Sequence, residues 1–321
     1  DKGLPINIRM ESAIVRMDPS ASVTVQLGTH SQGQGHETTI AQIVADELEI
    51  PMRDIRVLYG DTQSSAQGIG TFASRSAVQG GSAAHIAAGK VRERLLERGA
   101  HLLEAGVEDL ELREGSVQVR GVPARAIPLP DLARMTYYRT EMFPDGTDPL
   151  LEAAATFDAL AGTYANASQI ALVEVDPETG RVEILEYHVV EDCGRMINPT
   201  IVDGQVHGGI AQGIGGALLE ELIYDDEGQL VTASFMDYLV PGSLDVPHIS
   251  VTHLETPSKI TPNGVKGVGE GGAIAPYAVL AGAVEDALRP LGRVFVNEVP
   301  LTPGRVRAFV EQAIAEGVAR G

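Results

Sequence analysis

Two hydrophobic rhythms run through the chain, alternation at every second residue and recurrence at helical spacing, and the order in which they change predicts the elements. Residues Glu11 to Arg16 and Ser22 to Leu27 have the β-branched content of paired strands, with turn chemistry at Asp18-Pro19-Ser20 between them, which predicts a hairpin. A polar, glycine-rich segment follows, Gly28 to His36. Within Glu37 to Glu49, Ile40, Ile43, Val44 and Leu48 then recur at helical spacing ahead of Pro51. The same succession returns later: Gln169 to Val175, a turn over Asp176 to Gly180, Arg181 to Val190, a polar loop, and a helix from about Gln205 to Glu220. Hairpin, polar loop and helix, met twice, read as a degenerate internal duplication. Between the copies an alanine-rich helix is predicted over Ser76 to Glu104, and a short hairpin over Asp109 to Arg120 turning at Glu114-Gly115. Pro123 to Asp148 is richer in Pro, Gly and polar residues, which places a lobe boundary near Pro149 and divides the chain into residues 1–149 and 150–321. The second lobe is predicted to close with a helix from Ala275 to Leu288, a strand Val294 to Asn297 and a helix after Pro303. The fold class expected is α+β, two lobes of repeated hairpin-loop-helix units with mixed β-sheets.

Composition narrows the functions that such a fold can serve. With 321 residues and 44% apolar content the chain can fill a sizeable core. Its 44 Asp and Glu outnumber its 24 Lys and Arg, and no stretch gathers the basic residues that a phosphate backbone demands, so nucleic acid is not an expected partner. A single cysteine, Cys193, can form no internal disulfide and cannot alone hold an iron–sulfur cluster or a structural zinc. Any such centre belongs on another chain. No apolar run reaches the roughly 20 residues of a membrane helix, and the first ten residues lack a secretory pattern, so a cytoplasmic protein without a membrane span is expected. The chain opens on Asp1 rather than Met, and a further upstream segment is expected.

Four polar, glycine-rich segments each stand ahead of a predicted helix: Gly33 to His36, Gly70 to Ser76, Asp203 to Gln205 and Gly264 to Gly272. Glycine lets a backbone approach a ligand, and amides at a helix start are ready donors. Ser74 and Ser76 would add hydroxyls and Arg75 a fixed charge, while the amides of Gln34 and Gln205 both donate and accept. Any one segment is explained as well by helix capping. Four together, two of them at equivalent places of a duplicated unit, favour a binding site. Gly267 to Gly272 also fits G-x-G-x-x-G, but it follows Pro262-Asn263-Gly264 rather than a buried strand and would set the Glu270 carboxylate against a pyrophosphate, so a dinucleotide fingerprint is rejected. Glu270, between Gly269 and Gly271, reads equally as a general base with room around it and as a solvated loop residue. His36 and His207 read as helix-start polar contacts and Cys193 as a small buried residue. HExxH, CxxC and G-x-S-x-G are absent from the sequence, and no metal is assigned to direct side-chain ligation.

Taken together, GQGHETTIAQIVADEL (Gly33 to Leu48), GDTQ (Gly60 to Gln63), GIGTFASRS (Gly68 to Ser76), VEVDPETGRVEI (Val173 to Ile184), DCGRMINP (Asp192 to Pro199), GQVHGGIAQGIG (Gly204 to Gly215) and GVKGVGEGG (Gly264 to Gly272) resemble the molybdenum hydroxylases, a family of xanthine dehydrogenases, aldehyde oxidoreductases and aerobic carbon monoxide dehydrogenase large subunits. The resemblance covers nearly the whole chain and matches the family's second molybdopterin-binding domain. It implies a molybdenum–molybdopterin cofactor in its cytosine dinucleotide form. It implies that Gly33, Gln34, Gly35 and His36 lie at the dithiolene and molybdenum end, with Phe72, Ala73, Ser74, Arg75 and Ser76 as a second loop. Gln205, Lys266 and Gly267 complete the implied cofactor set, and Glu270 corresponds to the family's catalytic glutamate. The implied reaction oxidises an aldehyde, N-heterocycle or related small molecule with water as the oxygen source. Its electrons pass to Fe–S and FAD partner subunits. The family's upstream half is not recognisable here, so the chain is expected to be an excised fragment or one half of a split subunit, with little activity alone. Two other functions fit the residues: a non-catalytic cofactor-binding or assembly half, and a small-molecule-binding protein without molybdenum.

Overall fold

A computed structural model of the chain describes residues 10–63 and 67–320, with 318–320 described by backbone alone. The predicted first hairpin is formed by β1 (Glu11–Met17) and β2 (Val23–Leu27), paired antiparallel with Val15 opposite Val25. Alternation buries Ala13, Val15, Met17, Val23, Val25 and Leu27 on one face. Helix α1 (His36–Leu48) lays Ile40, Val44 and Leu48 on that face and ends at Glu49 in the left-handed region. The chain then returns as β3 (Ile55–Leu58), parallel to β2. A π-helical turn at Ser76–Gly81 leads into α2 (Ser82–Leu103), whose Ala83, Ala84, Ala87 and Ala88 are fully buried against the same sheet. Small side chains let this helix lie close to the strands.

The short hairpin also forms, as β4 (Leu110–Arg113) and β5 (Ser116–Val119), with Glu114 and Gly115 at the turn both at positive φ. Of the prolines in the following stretch only Pro144 lies in irregular chain, while Pro123, Pro128 and Pro130 do not. These three lie in β6 (Val122–Pro128), an exposed edge strand antiparallel to β5, and in the first turn of α3 (Leu129–Tyr138), two places where a missing N–H costs little. Strand β7 (Glu152–Phe157) pairs with β1, giving a sheet ordered β3-β2-β1-β7.

The second copy of the pattern is built from β8 (Asn166–Val175), β9 (Val182–Asp192), α4 (Pro199–Leu218) and β10 (Ile249–Leu254). β8 and β9 pair antiparallel and β10 joins β9 in parallel. Both copies therefore share hairpin, helix and a returning strand parallel to the hairpin's second strand, which is firmer support for a duplication than the hairpins alone. Helix α4 starts before the predicted Gln205, at Pro199, and Asp203-Gly204-Gln205 is helix rather than loop. Gly209, Gly213, Gly215 and Gly216 sit at close approaches, a β-carbon on Gly209 lying 2.9 Å from the Ala273 nitrogen, whereas Gly204 and Gly208 face open space. After α5 (Gly271–Ile274) and α6 (Pro276–Leu288), the predicted strand Val294 to Asn297 is absent. Val294 and Val296 are buried in alternation, but no strand pairs with them, and the Val296 N–H donates to the Glu285 carboxylate. Helix α7 (Pro303–Arg320) closes the chain as expected.

The chain divides into two compact units. One runs to Tyr164 and takes in 194–198 and 257–267; the other comprises 165–193, 199–256 and 268–321. Among the described residues no helix is long and apolar enough to cross a membrane.

Candidate functional site

In the first unit, segment 68–76 is shaped by a residue that the sequence patterns did not single out. Glu11, the first residue of β1, is fully buried, and its Oε1 accepts the backbone N–H groups of Ile69 (3.0 Å) and Gly70 (3.2 Å). The same oxygen is paired with the Arg75 guanidinium, which also donates to the carbonyls of Gly70 and Met10. Arg75 was expected to turn a charge toward a ligand; it is 0% exposed and turns it toward the core. The guanidinium carbon lies 5.2 Å from the centroid of the Phe72 ring, which is itself partly exposed.

Between them Ala73 (φ 48°) and Ser74 (φ 52°) both occupy the left-handed region, a conformation of order 1–3 kcal/mol per residue. The Glu11–Arg75 pair anchors the chain on either side of it. Thr71 links this loop to the earlier polar segment: its hydroxyl donates to the His30 carbonyl, accepts the His30 N–H, and bonds Ser76 Oγ at 2.9 Å. Segments 28–36 and 68–76 thus lie side by side, as their joint assignment to one site requires. Within the first of them the Gln34 Oε1 accepts the Gln32 N–H, folding its amide onto its own loop. His36 opens α1, where burial holds its imidazole below the usual range, and its Nδ1 has no partner among the described residues. Lys266 and Gly267 are buried in this unit. The segment preceding them is pinned by the Arg195 and Ser258 N–H groups on the Gly264 carbonyl.

In the second unit Gln205 sits half-buried in the second turn of α4. Glu270 is exposed at the N-cap of α5, and its carbonyl accepts the Ala273 N–H at 3.1 Å. The two glycines that follow are held from the sheet. Gln169 on β8 donates its amide to the Gly271 and Gly272 carbonyls at 3.4 Å each, and the Tyr187 hydroxyl on β9 donates to Gln169 Oε1 at 2.7 Å. Burial raises the Tyr187 phenol, so it stays a donor. His207 is exposed, with Nε2 at 3.3 Å from the Ile249 carbonyl oxygen, and Cys193 is buried with its thiol pushed up to about 12, which keeps it from acting as a thiolate. Glu11, Gln169, Tyr187 and Glu191 are the residues that the motifs missed. For Glu191 a signal existed: it stands at the inward period of a strand whose other inward residues are Tyr187 and Val189.

The geometry within each unit is polar and rich in exposed backbone without naming what it holds. A family model for the molybdopterin cofactor-binding domain matches residues 3–247. The chain belongs to that family. The matched range takes in segments 28–36 and 68–76 and ends before the Glu270 loop. Relatives extend the likeness over that loop: the nicotine 6-hydroxylase large subunit of Paenarthrobacter nicotinovorans is 43% identical over 92% of this chain and 36% of its own length. The carbon monoxide dehydrogenase large chain of Afipia carboxidovorans is 37% identical over 86% of this chain and 34% of its own. Among solved structures, quinoline 2-oxidoreductase from Pseudomonas putida 86 superimposes with a TM-score of 0.90 at 46% identity, covering 95% of this chain and 38% of that chain. The chain therefore spans about a third of the length of the proteins that it matches.

Proposed function

We propose that the chain is the part of a molybdenum hydroxylase subunit that carries the second half of the cofactor site and the catalytic glutamate, its two compact units corresponding to the two expected lobes. The observation that carries this reading is the pairing of segments 28–36 and 68–76 through Thr71, in a chain of this family. These residues fit an anionic, heteroatom-rich group. A β-carbon on Gly33 or Gly70 would meet nothing within 4 Å, leaving open backbone, and the His36 Nδ1 is a buried polar atom without a partner among the described residues.

In the first unit the residues that would hold a molybdopterin are Gly33, Gln34, Gly35 and His36, the backbone of Phe72 to Ser76, and Lys266 with Gly267; in the second it is Gln205. Arg75 would serve through its hold on the loop rather than by contact. When bound, the molybdenum centre supplies the two-electron oxidation, and the cytosine dinucleotide form of the cofactor is the one proposed. Glu270 lies on the surface of this chain, where its carboxylate can reach a substrate and take up a proton at Oε. The substrates proposed are aldehydes, N-heterocycles or related small molecules, with Fe–S and FAD subunits accepting the electrons and the remaining length of the subunit completing the site.

The test is made on the complex purified with its associated subunits. Glu270→Gln is expected to lower turnover by at least ~100-fold while molybdenum and pterin content stay stoichiometric. Near-normal turnover in that variant would remove Glu270 from the reaction. Absence of molybdenum and pterin from the native complex would overturn the cofactor assignment. Stoichiometric cofactor without any substrate oxidation in the wild-type complex would leave a non-catalytic, cofactor-holding half.

A further inference from the structure

The sheet of the second unit turns one face inward, and its register brings polar residues together there. Gln169 pairs with Val189, Ala167 with Glu191, and His253 with Glu191, so that Gln169, Glu191 and His253 stand on one face of three adjacent strands. Gln169 holds the Gly271 and Gly272 carbonyls, and His253 Nε2 bonds Asp203 of α4 at 2.7 Å. Glu191 is 1% exposed, and neither of its carboxyl oxygens has a hydrogen-bond partner among the described residues. Its Oε1 lies 3.0 Å from where a β-carbon of Gly271 would stand, so the carboxyl occupies the space that any side chain at 271 would need.

A carboxyl buried in this way holds its proton to a higher pH than an exposed one. Burial pushes Glu191 up from 4.5 to about 7, with His253 pulling it down and the neighbouring Asp192 pushing it further up. Cys193 adjoins it as an uncharged thiol, and the facing residues of β8 and of the loop, Ala167 and Gly271, carry no charge. We propose that Glu191 is a positioning residue for Glu270: packed under Gly271, its carboxyl fixes the backbone on which Glu270 is carried. The inference rests on reading Glu270 as the base, but the placement of the loop is measured without reference to turnover. Because the folded value lies above the unfolded one, Glu191 favours the fold fully below 4.5, and that contribution is lost as pH rises through about 7.

The experiment is hydrogen exchange of peptides spanning Gly267 to Ala275 in the native complex at pH 6 and pH 8, corrected for intrinsic exchange, with pH profiles of kcat and KM alongside. Wild-type protection of Gly271 to Ala273 is expected to fall between the two pH values. Glu191→Gln, uncharged at both, should hold the pH 6 level throughout, and Glu191→Ala should lose protection about tenfold at both. In turnover, Glu191→Ala should lower kcat with KM little changed, and Glu191→Gln should restore it and flatten the response near pH 7. Should Glu191→Ala not accumulate, Gly271→Ala pushes a methyl against the carboxyl and is expected to give the same loss of protection. Protection in the Ala variants equal to wild type, or a Gln variant that keeps the wild-type pH response, overturns the proposal. Full turnover in Glu270→Gln would overturn the assignment of the base and leave the exchange result standing.

Discussion

Glu11 shows how much one side chain can decide. At the start of β1 it is buried, accepts two amides of the 68–76 loop, and neutralises Arg75. Removing one partner of such a pair strands the other charge in a dry interior, which costs about 3–5 kcal/mol. Glu11→Ala is therefore expected to lower the urea midpoint of the first unit by an amount equivalent to that cost. Since the same carboxylate anchors Ile69, Gly70 and Arg75 on either side of the strained Ala73-Ser74 backbone, the amides of that loop are expected to exchange faster even where the unit remains folded. A midpoint within ~0.5 kcal/mol of wild type would mean that the pair contributes little and that the loop is held by its other contacts. Arg75 belongs to the same lesson: a conspicuous charge in a ligand-like motif can be consumed by the fold that presents the motif.

Among the elements, α4 and the 270–274 segment are matched through their backbones. A β-carbon on Gly272 would stand 2.5 Å from the Val206 carbonyl oxygen and 3.0 Å from the Ile210 nitrogen, both rigid helix backbone. Gly272→Ala must move one element against the other and is expected to cost about 1–3 kcal/mol. Gly282 in α6 is the control, with nothing within 4 Å of its added β-carbon. There the gain in helix propensity should raise stability by roughly 0.5–1 kcal/mol. Thermal unfolding of the two variants checks both signs. Equal effects would show that helix propensity, not close approach, governs these glycines. The same packing explains how a helix with Gly204, Gly208, Gly209, Gly213, Gly215 and Gly216 forms at all: its apolar face of Val206, Ile210 and Ile214 is fully buried, and tertiary contact outweighs poor propensity.

For the molecule as a whole the dominant long-range feature is charge. A formal net charge of −20 on 321 residues repels itself, and the buried pairs do nothing to relieve that. Raising ionic strength from ~10 mM to ~150 mM shortens the screening length from about 30 Å to about 8 Å. The thermal midpoint is therefore expected to rise with added sodium chloride at pH 7, and to rise less at pH 5, where part of the carboxylate charge is gone. A midpoint that falls with salt would mean that exposed ion pairs such as Arg139–Glu141 outweigh the global repulsion.

Local pattern was enough for the hairpins, for α1, α2, α6 and α7, and for the duplication, because alternation and helical spacing are properties of adjacent residues. It was enough, too, to bring out the polar segments around Gln34 and Phe72 to Ser76. It failed at Asp203 to Gln205 and at Val294 to Asn297, where the outcome depends on a distant neighbour: a glycine that looks like loop is carried in a helix whose later turns α5 packs on at Gly209, and an alternating run without a strand beside it stays unpaired. The parallel returns of β3 and β10 were equally invisible, since pairing partners are chosen across dozens of residues. So were the roles of Glu11, Gln169 and Glu191, whose importance lies in what they touch. The amino-acid order alone determined the hairpins, most of the helices, the repeated plan and the family signature. Only the tertiary structure decided which charges are buried and which glycines must stay bare, because desolvation and close contact are set by the whole surrounding fold and not by the residues next in line.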